Sequence, residues 1–102
     1  MQSPQLEKRS GCIAGAMNII GQKWTALILR DLSYGSQRFA DLERSIPEIN
    51  PRTLSRRLDE LENQDVICRC QDSMAYQLTE KGRDLTPVLE QMAAWGDKYV
   101  VS

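Results

Sequence analysis

The stretch from Ile49 to Ile67, INPRTLSRRLDELENQDVI, constrains this chain more than any other. Leu54, Leu58 and Leu61 recur at i, i+4 and i+7, which puts them in one stripe of a helix, fit for burial. Asn50 is a good N-cap, and Pro51 suits the first helical position, where a missing N–H costs nothing. At about 100° per residue, Arg52 and Arg56 fall opposite the leucines, Thr53 and Ser55 flank that outer face, and Arg57 sits at its edge. The acids Asp59, Glu60 and Glu62 come only after the arginines, so the positive side chains gather at the positive end of the helix dipole. A guanidinium fork can grip a phosphate, or the O6/N7 edge of guanine in a major groove. An ordinary surface helix with solvated charges has the same pattern, so the rest of the chain must decide between them.

The rest of the chain narrows the choice. Its 102 residues suit a single domain covering 1–102, and 41% apolar with 26% charged residues is ordinary for a globular protein. No apolar run approaches the roughly 18 residues of a membrane span. The start, MQSPQLEKRSG, is polar and lacks the apolar stretch of a secretory signal, so the expected location is the cytoplasm. Cys12, Cys68 and Cys70 are too few, and of the wrong parity, for a disulfide framework, and they fit a reducing compartment. With no histidine, no glycine-rich phosphate loop and no defined carboxylate pair, an enzyme is not expected, and no metal or cofactor is called for. A net charge of −1 argues mildly against nucleic acid, but Asn50 to Leu58 carries three arginines and no acid.

Periodicity places the elements. Ile13, Met17 and Ile20 predict a first helix ended by Gly21, and Trp24, Leu27, Ile28 and Leu32 a second stopped near Gly35. Phe39, Leu42 and Ile46 mark a third, which Pro47 cannot continue. Pro47-Glu48-Ile49 then joins it to the arginine helix as a helix–turn–helix. After Asp65 the period becomes two. Val66–Cys70 and Met74–Leu78 read as strands around the turn Gln71-Asp72-Ser73, a small wing. Leu85, Val88, Leu89, Met92, Trp95, Tyr99 and Val100 return to helical spacing, with Pro87 starting or kinking that helix. The fold expected is mainly α with a small β-hairpin, a winged helix–turn–helix. Residues 1–11 form a flexible or dimer-contacting segment, and 83–102 a C-terminal helix. The apolar band of Val88, Met92, Trp95 and Tyr99 either packs back on its own domain or pairs with a second copy. Pairing is the expectation, because a small core would struggle to cover it.

The run from Cys12 to Trp95-Gly96 resembles the HxlR-type transcriptional regulators, relatives of the MarR winged-helix proteins. The matching pieces are Ile20-Gly21-Gln22-Lys23-Trp24, Gly35 with Arg38-Phe39-Ala40-Asp41-Leu42, Ile46-Pro47 with Ile49, and Leu54 to Leu61. Tyr76-Gln77-Leu78-Thr79-Glu80-Lys81-Gly82 and Leu85-Thr86-Pro87-Val88-Leu89 follow in the family's order. The resemblance implies a homodimer paired through helices at both termini, binding a palindromic operator in double-stranded DNA as a sequence-specific regulator, and a repressor is the expectation. It also implies that Cys12 stands where some members sense oxidants or electrophiles, which would make a small molecule or oxidant the effector. Two departures stand out. The family usually has Cys-Pro where this chain has Cys12-Ile13, and its wing is longer, with a basic residue.

On this reading Arg52, Thr53 and Arg56, with Ser55, contact base edges, while Arg57, Arg38 and Lys23 contact phosphate. Lys8 and Arg9 just upstream, and a helix start, would favour the thiolate of Cys12 and its redox role; a small buried residue is the alternative. Cys68 and Cys70 share one face of a strand and are read as buried, since nothing completes a metal site with them. Trp24, Trp95, Tyr76 and Tyr99 could line a ligand pocket, or simply serve core and dimer packing. The competing function is a winged-helix protein-interaction module that has lost specific DNA binding, a reading prompted by the stunted wing with Asp72 at its tip.

Overall fold

A computed structural model describes residues 13–100. The elements run α1 (Ile13–Ile20), α2 (Lys23–Leu32), α3 (Phe39–Ser45), α4 (Pro51–Asn63), β1 (Ile67–Arg69), β2 (Tyr76–Leu78), α5 (Glu80–Arg83) and α6 (Thr86–Tyr99). Segment 1–11 and Cys12, to which the sequence assigned dimer contact and redox sensing, lie outside the described residues.

The expected mainly helical fold with one hairpin is present. Leu54 and Leu58 of α4 are fully buried and Leu61 nearly so. They meet Ile28, Leu29 and Leu32 from α2, Leu42 from α3, Ile46 and Ile49 from the turn, and Val66 and Ile67 at the wing root. Burying such branched side chains is the main force holding a domain of this size together.

The ends of α4 explain its direction. The Asn50 side chain accepts from the Arg52 backbone N–H at 2.8 Å, and Pro51 occupies the first turn, as the sequence indicated. At the far end Val66 N–H reaches Leu61 O and Asp65 N–H reaches Glu62 O, each at 3.0 Å. That is the Schellman pattern, with Asp65 (φ 61°) where glycine is usual. It turns the chain directly into β1.

The hairpin is antiparallel, pairing Ile67 with Leu78, Cys68 with Gln77 and Arg69 with Tyr76. Its regular strands are shorter than the sequence suggests, although Cys70 N–H still donates to Ala75 O at 2.7 Å. Met74, at the end of the turn, has φ 59°, an uncommon conformation for a side chain of its kind. Gln37 adds a contact that no local pattern announces. It exchanges both backbone hydrogen bonds with Tyr76, at 2.9 and 2.7 Å, and so ties the approach to α3 onto the wing.

Short α5 has no periodic signal in the sequence. Thr79 caps it by accepting from Gly82 N–H at 3.1 Å, while its hydroxyl contacts Asp65 O at 2.6 Å and Val66 O at 3.0 Å. A Cβ on Gly82 would stand 2.1 Å from Val66 O, so only glycine lets α5 close over the exit of α4. Pro87 lies in the first turn of α6 and starts that helix rather than kinking it.

Candidate nucleic-acid interface

The putting-forward of α4 depends on its three leucines, which leave the opposite face to solvent. Arg52, Ser55 and Arg56 are exposed there and Thr53 is half-buried. Neither Arg52 nor Arg56 forms an ion pair among the described residues. Two guanidinium groups one helical turn apart, with no carboxylate to neutralise them, project from a fully anchored rod about 20 Å long.

Arg57 differs. Its side chain is only 17% exposed and its guanidinium lies 3.2 Å from Glu60, one turn on. Its Nε is buried and has no hydrogen-bond partner. The edge position read from the helical wheel therefore means a half-buried arginine drawn back along the helix. Glu60 is the partner that sequence spacing could have named, since i and i+3 are neighbours on a helix.

The two remaining cations sit on other elements. Arg38 is exposed immediately before α3, where its backbone N–H donates to Asp41 Oδ2 at 2.9 Å and fixes the helix start. Asp41 also pairs with Arg44. Lys23 is the first residue of α2, and its ammonium lies 4.6 Å from the Trp24 ring centroid. Thus five candidate contacts share one helix, a sixth heads the preceding helix of the same pair, and the seventh lies on α2.

The wing offers little positive charge. Its one arginine, Arg69, stays exposed but is already paired, 3.2 Å from Glu62 and with its guanidinium 4.9 Å from the Tyr76 ring centroid. The hydrogen bond that Arg69 donates to Glu62 raises its pKa above the usual value. Burial lifts the Tyr76 hydroxyl above the ordinary phenol range, against the pull of Arg69. Cys68 and Cys70 are half-buried rather than buried, a correction to the sequence expectation.

The four aromatics considered for a pocket do not converge. Trp24 packs partly against the core, Tyr76 is buried within it, and Trp95 and Tyr99 are exposed on α6, their centroids 5.3 Å apart. A cleft of about 550 Å³ lies instead between the α2–α3 turn and the start of α6, lined by Tyr34, Gln77, Arg83, Thr86 and Glu90 among others. On α6 itself, Leu85 just before it and Leu89 turn toward the core, whereas Val88, Met92, Trp95 and Tyr99 remain exposed, with Ile13 and Met17 of α1.

Residues 19–102 match the model of the HxlR-like helix-turn-helix family. The HTH-type transcriptional regulator YvaP of Bacillus subtilis is 38% identical over 90 residues, covering 83% of each chain. The crystal structure of quinone-bound YodB from Bacillus subtilis superposes with a TM-score of 0.77 at 37% identity, over 85% of this chain and 96% of that one. The redox regulator HypR in its oxidised form gives a TM-score of 0.81 at 30% identity, over 88% and 98%. Outward arginines on the second helix of a helix–turn–helix, a hairpin wing and these likenesses agree: the chain belongs to the HxlR-like helix-turn-helix family of transcriptional regulators.

Proposed function

We propose that this regulator works in the cytoplasm as a homodimer that binds a palindromic operator in double-stranded DNA and represses transcription. The observation that carries the DNA reading is the pair Arg52 and Arg56, exposed and unneutralised on a helix whose other face is wholly buried. Arg52, Thr53 and Arg56, with Ser55, read base edges in the major groove, and Arg57, Arg38 and Lys23 hold phosphate. Two copies joined through residues 83–102, by way of Val88, Met92, Trp95 and Tyr99, set two such helices about one DNA turn apart. The exposed apolar band supports this pairing, because burying it removes that surface from water.

Its effector is an oxidant or electrophile acting on Cys12. The support is chemical and comparative. Lys8 and Arg9 favour a thiolate nearby, and similar structures include a quinone-bound regulator and an oxidised redox regulator. Arg69 held by Glu62 and the acidic tip Asp72 favour one rival, a protein-interaction module without specific DNA binding.

Selection of bound fragments from random duplex DNA, with and without oxidant, tests all of this. A palindromic consensus is expected, lost on oxidation in the wild type and kept in Cys12→Ser. No enrichment, together with binding insensitive to salt, would leave the interaction module standing.

A further inference from the structure

Cys68 and Cys70 are used by neither the DNA reading nor the proposed Cys12 chemistry, yet their placement is specific. Cys68 faces Gln77 across the ladder, and the Gln77 amide donates to its Sγ at 3.6 Å. Cys70 continues the same edge through its backbone bond to Ala75. Arg69 between them leans the other way, over Tyr76. Cys70 lies one residue past β1 but keeps its ladder bond, so period-two alternation sets the two sulfurs on one face, both half-exposed, along the first arm of the wing up to its turn.

Their spacing decides what they can share. Two residues along an antiparallel strand separate Cα atoms by ~6.8 Å, the outer limit of what a disulfide spans. The backbone bonds on either side hold the strand extended, so closing an S–S bond of about 2 Å would strain it. A metal ion lying in line between two sulfurs fills about twice that gap, taking about 2.3 Å per metal–sulfur bond. Zinc wants four ligands, and no cluster of three or more candidate ligands exists among the described residues. Two thiolates alone suit a soft ion of low coordination number, of which Cu(I) is the type.

We propose that Cys68 and Cys70 form a two-thiolate site for a soft monovalent cation of the Cu(I) class. On binding, two S–H bonds break and two sulfur–metal bonds form. Both protons leave to solvent and no electron is transferred. The Gln77 amide, already donating to Cys68, orients that ligand and tempers its charge. The bound unit carries one net negative charge on the arm of the wing. Resting on the DNA reading above, that charge opposes phosphate and weakens operator binding.

The test needs no DNA for its first arm. The full-length reduced chain, without oxygen, competes with a chelator of known affinity for Cu(I). One ion per chain is expected, with two sulfur neighbours by X-ray absorption in the wild type. Cys68→Ser and Cys70→Ser should each lose about a hundredfold in affinity, because the second bond no longer forms within one molecule. Cys12→Ser should match the wild type. Far-UV circular dichroism checks that the variants fold, and the sulfur count stands without any variant. A Cys70→Ser affinity within about threefold of wild type, or loss of the ion in Cys12→Ser, would overturn the site. Copper binding that leaves DNA affinity unchanged would remove only the regulatory consequence.

Discussion

Helices α4 and α6 are nearly equal in length, at 13 and 14 residues, and both carry an apolar stripe at helical spacing, yet they end in opposite situations. The stripe of α4 is buried and its polar face looks outward. Among the residues of α6 none is buried, and Trp95 is 62% exposed. A stripe in a sequence thus states a demand for cover without saying what meets it. Inside one chain the demand of α4 is met by α2, α3 and the wing root. That of α6 is met only in part, by Leu89 reaching the core together with neighbouring Leu85.

The widest gap between the two helices should appear on truncation. Leu58→Ala removes a side chain with no exposure and leaves a cavity among Ile28, Leu42 and their neighbours. A loss of about 2–5 kcal/mol is expected. Against a total of about 5–15 kcal/mol this is a large fraction, readable as a shifted urea midpoint. A loss below about 1 kcal/mol would show that α4 is not anchored as described.

On α6 the expectation reverses. Trp95→Glu should leave far-UV circular dichroism intact while abolishing association, because it puts a charge into the apolar contact proposed between copies. Sedimentation should give twice the chain mass for wild type and a single chain mass for the variant. A monomeric wild type at micromolar concentration would break the comparison, since α6 would then simply be a solvated helix.

How far this contrast could be read in advance differs by element. The leucine period, the Asn50-Pro51 start and the switch to period two after Asp65 are local signals, and the structure follows them. Gln37 bonding to Tyr76 is a pairing between distant residues, so no window of sequence contains it. Helix α5 is only four residues long, too short to show a period, and its trace was limited to Thr79 as a cap and Gly82 three residues on. The band on α6 was legible, but which leucines turn inward depends on where α2 lies. The pairing of Arg69 was invisible for the same reason: Glu62 and Tyr76 meet it only in the folded chain.

Within α4 the comparison becomes finer. Arg56 is exposed and unneutralised, so Arg56→Ala should cost about 1–3 kcal/mol of DNA binding and relax the sequence choice at one position. A mobility-shift titration identical to wild type would remove Arg56 from the base-reading set.

The smallest effect expected belongs to Arg57. Its pair with Glu60 is partly open to water on the carboxylate side, where such pairs contribute about 0–1 kcal/mol. The bond is therefore a weak tether, and a nearby phosphate can take the guanidinium from Glu60. If it does, Arg57→Ala should weaken every duplex alike and lower the slope of log affinity against log salt by about one, with no change in consensus. Glu60→Gln should act in the opposite direction, tightening all sequences, because it frees Arg57 and removes a repelling carboxylate together. Should Arg57→Ala instead keep the wild-type salt slope and lose only folding stability, Arg57 belongs with the buried leucines rather than with Arg52 and Arg56. The cationic face of α4 would then be two arginines wide.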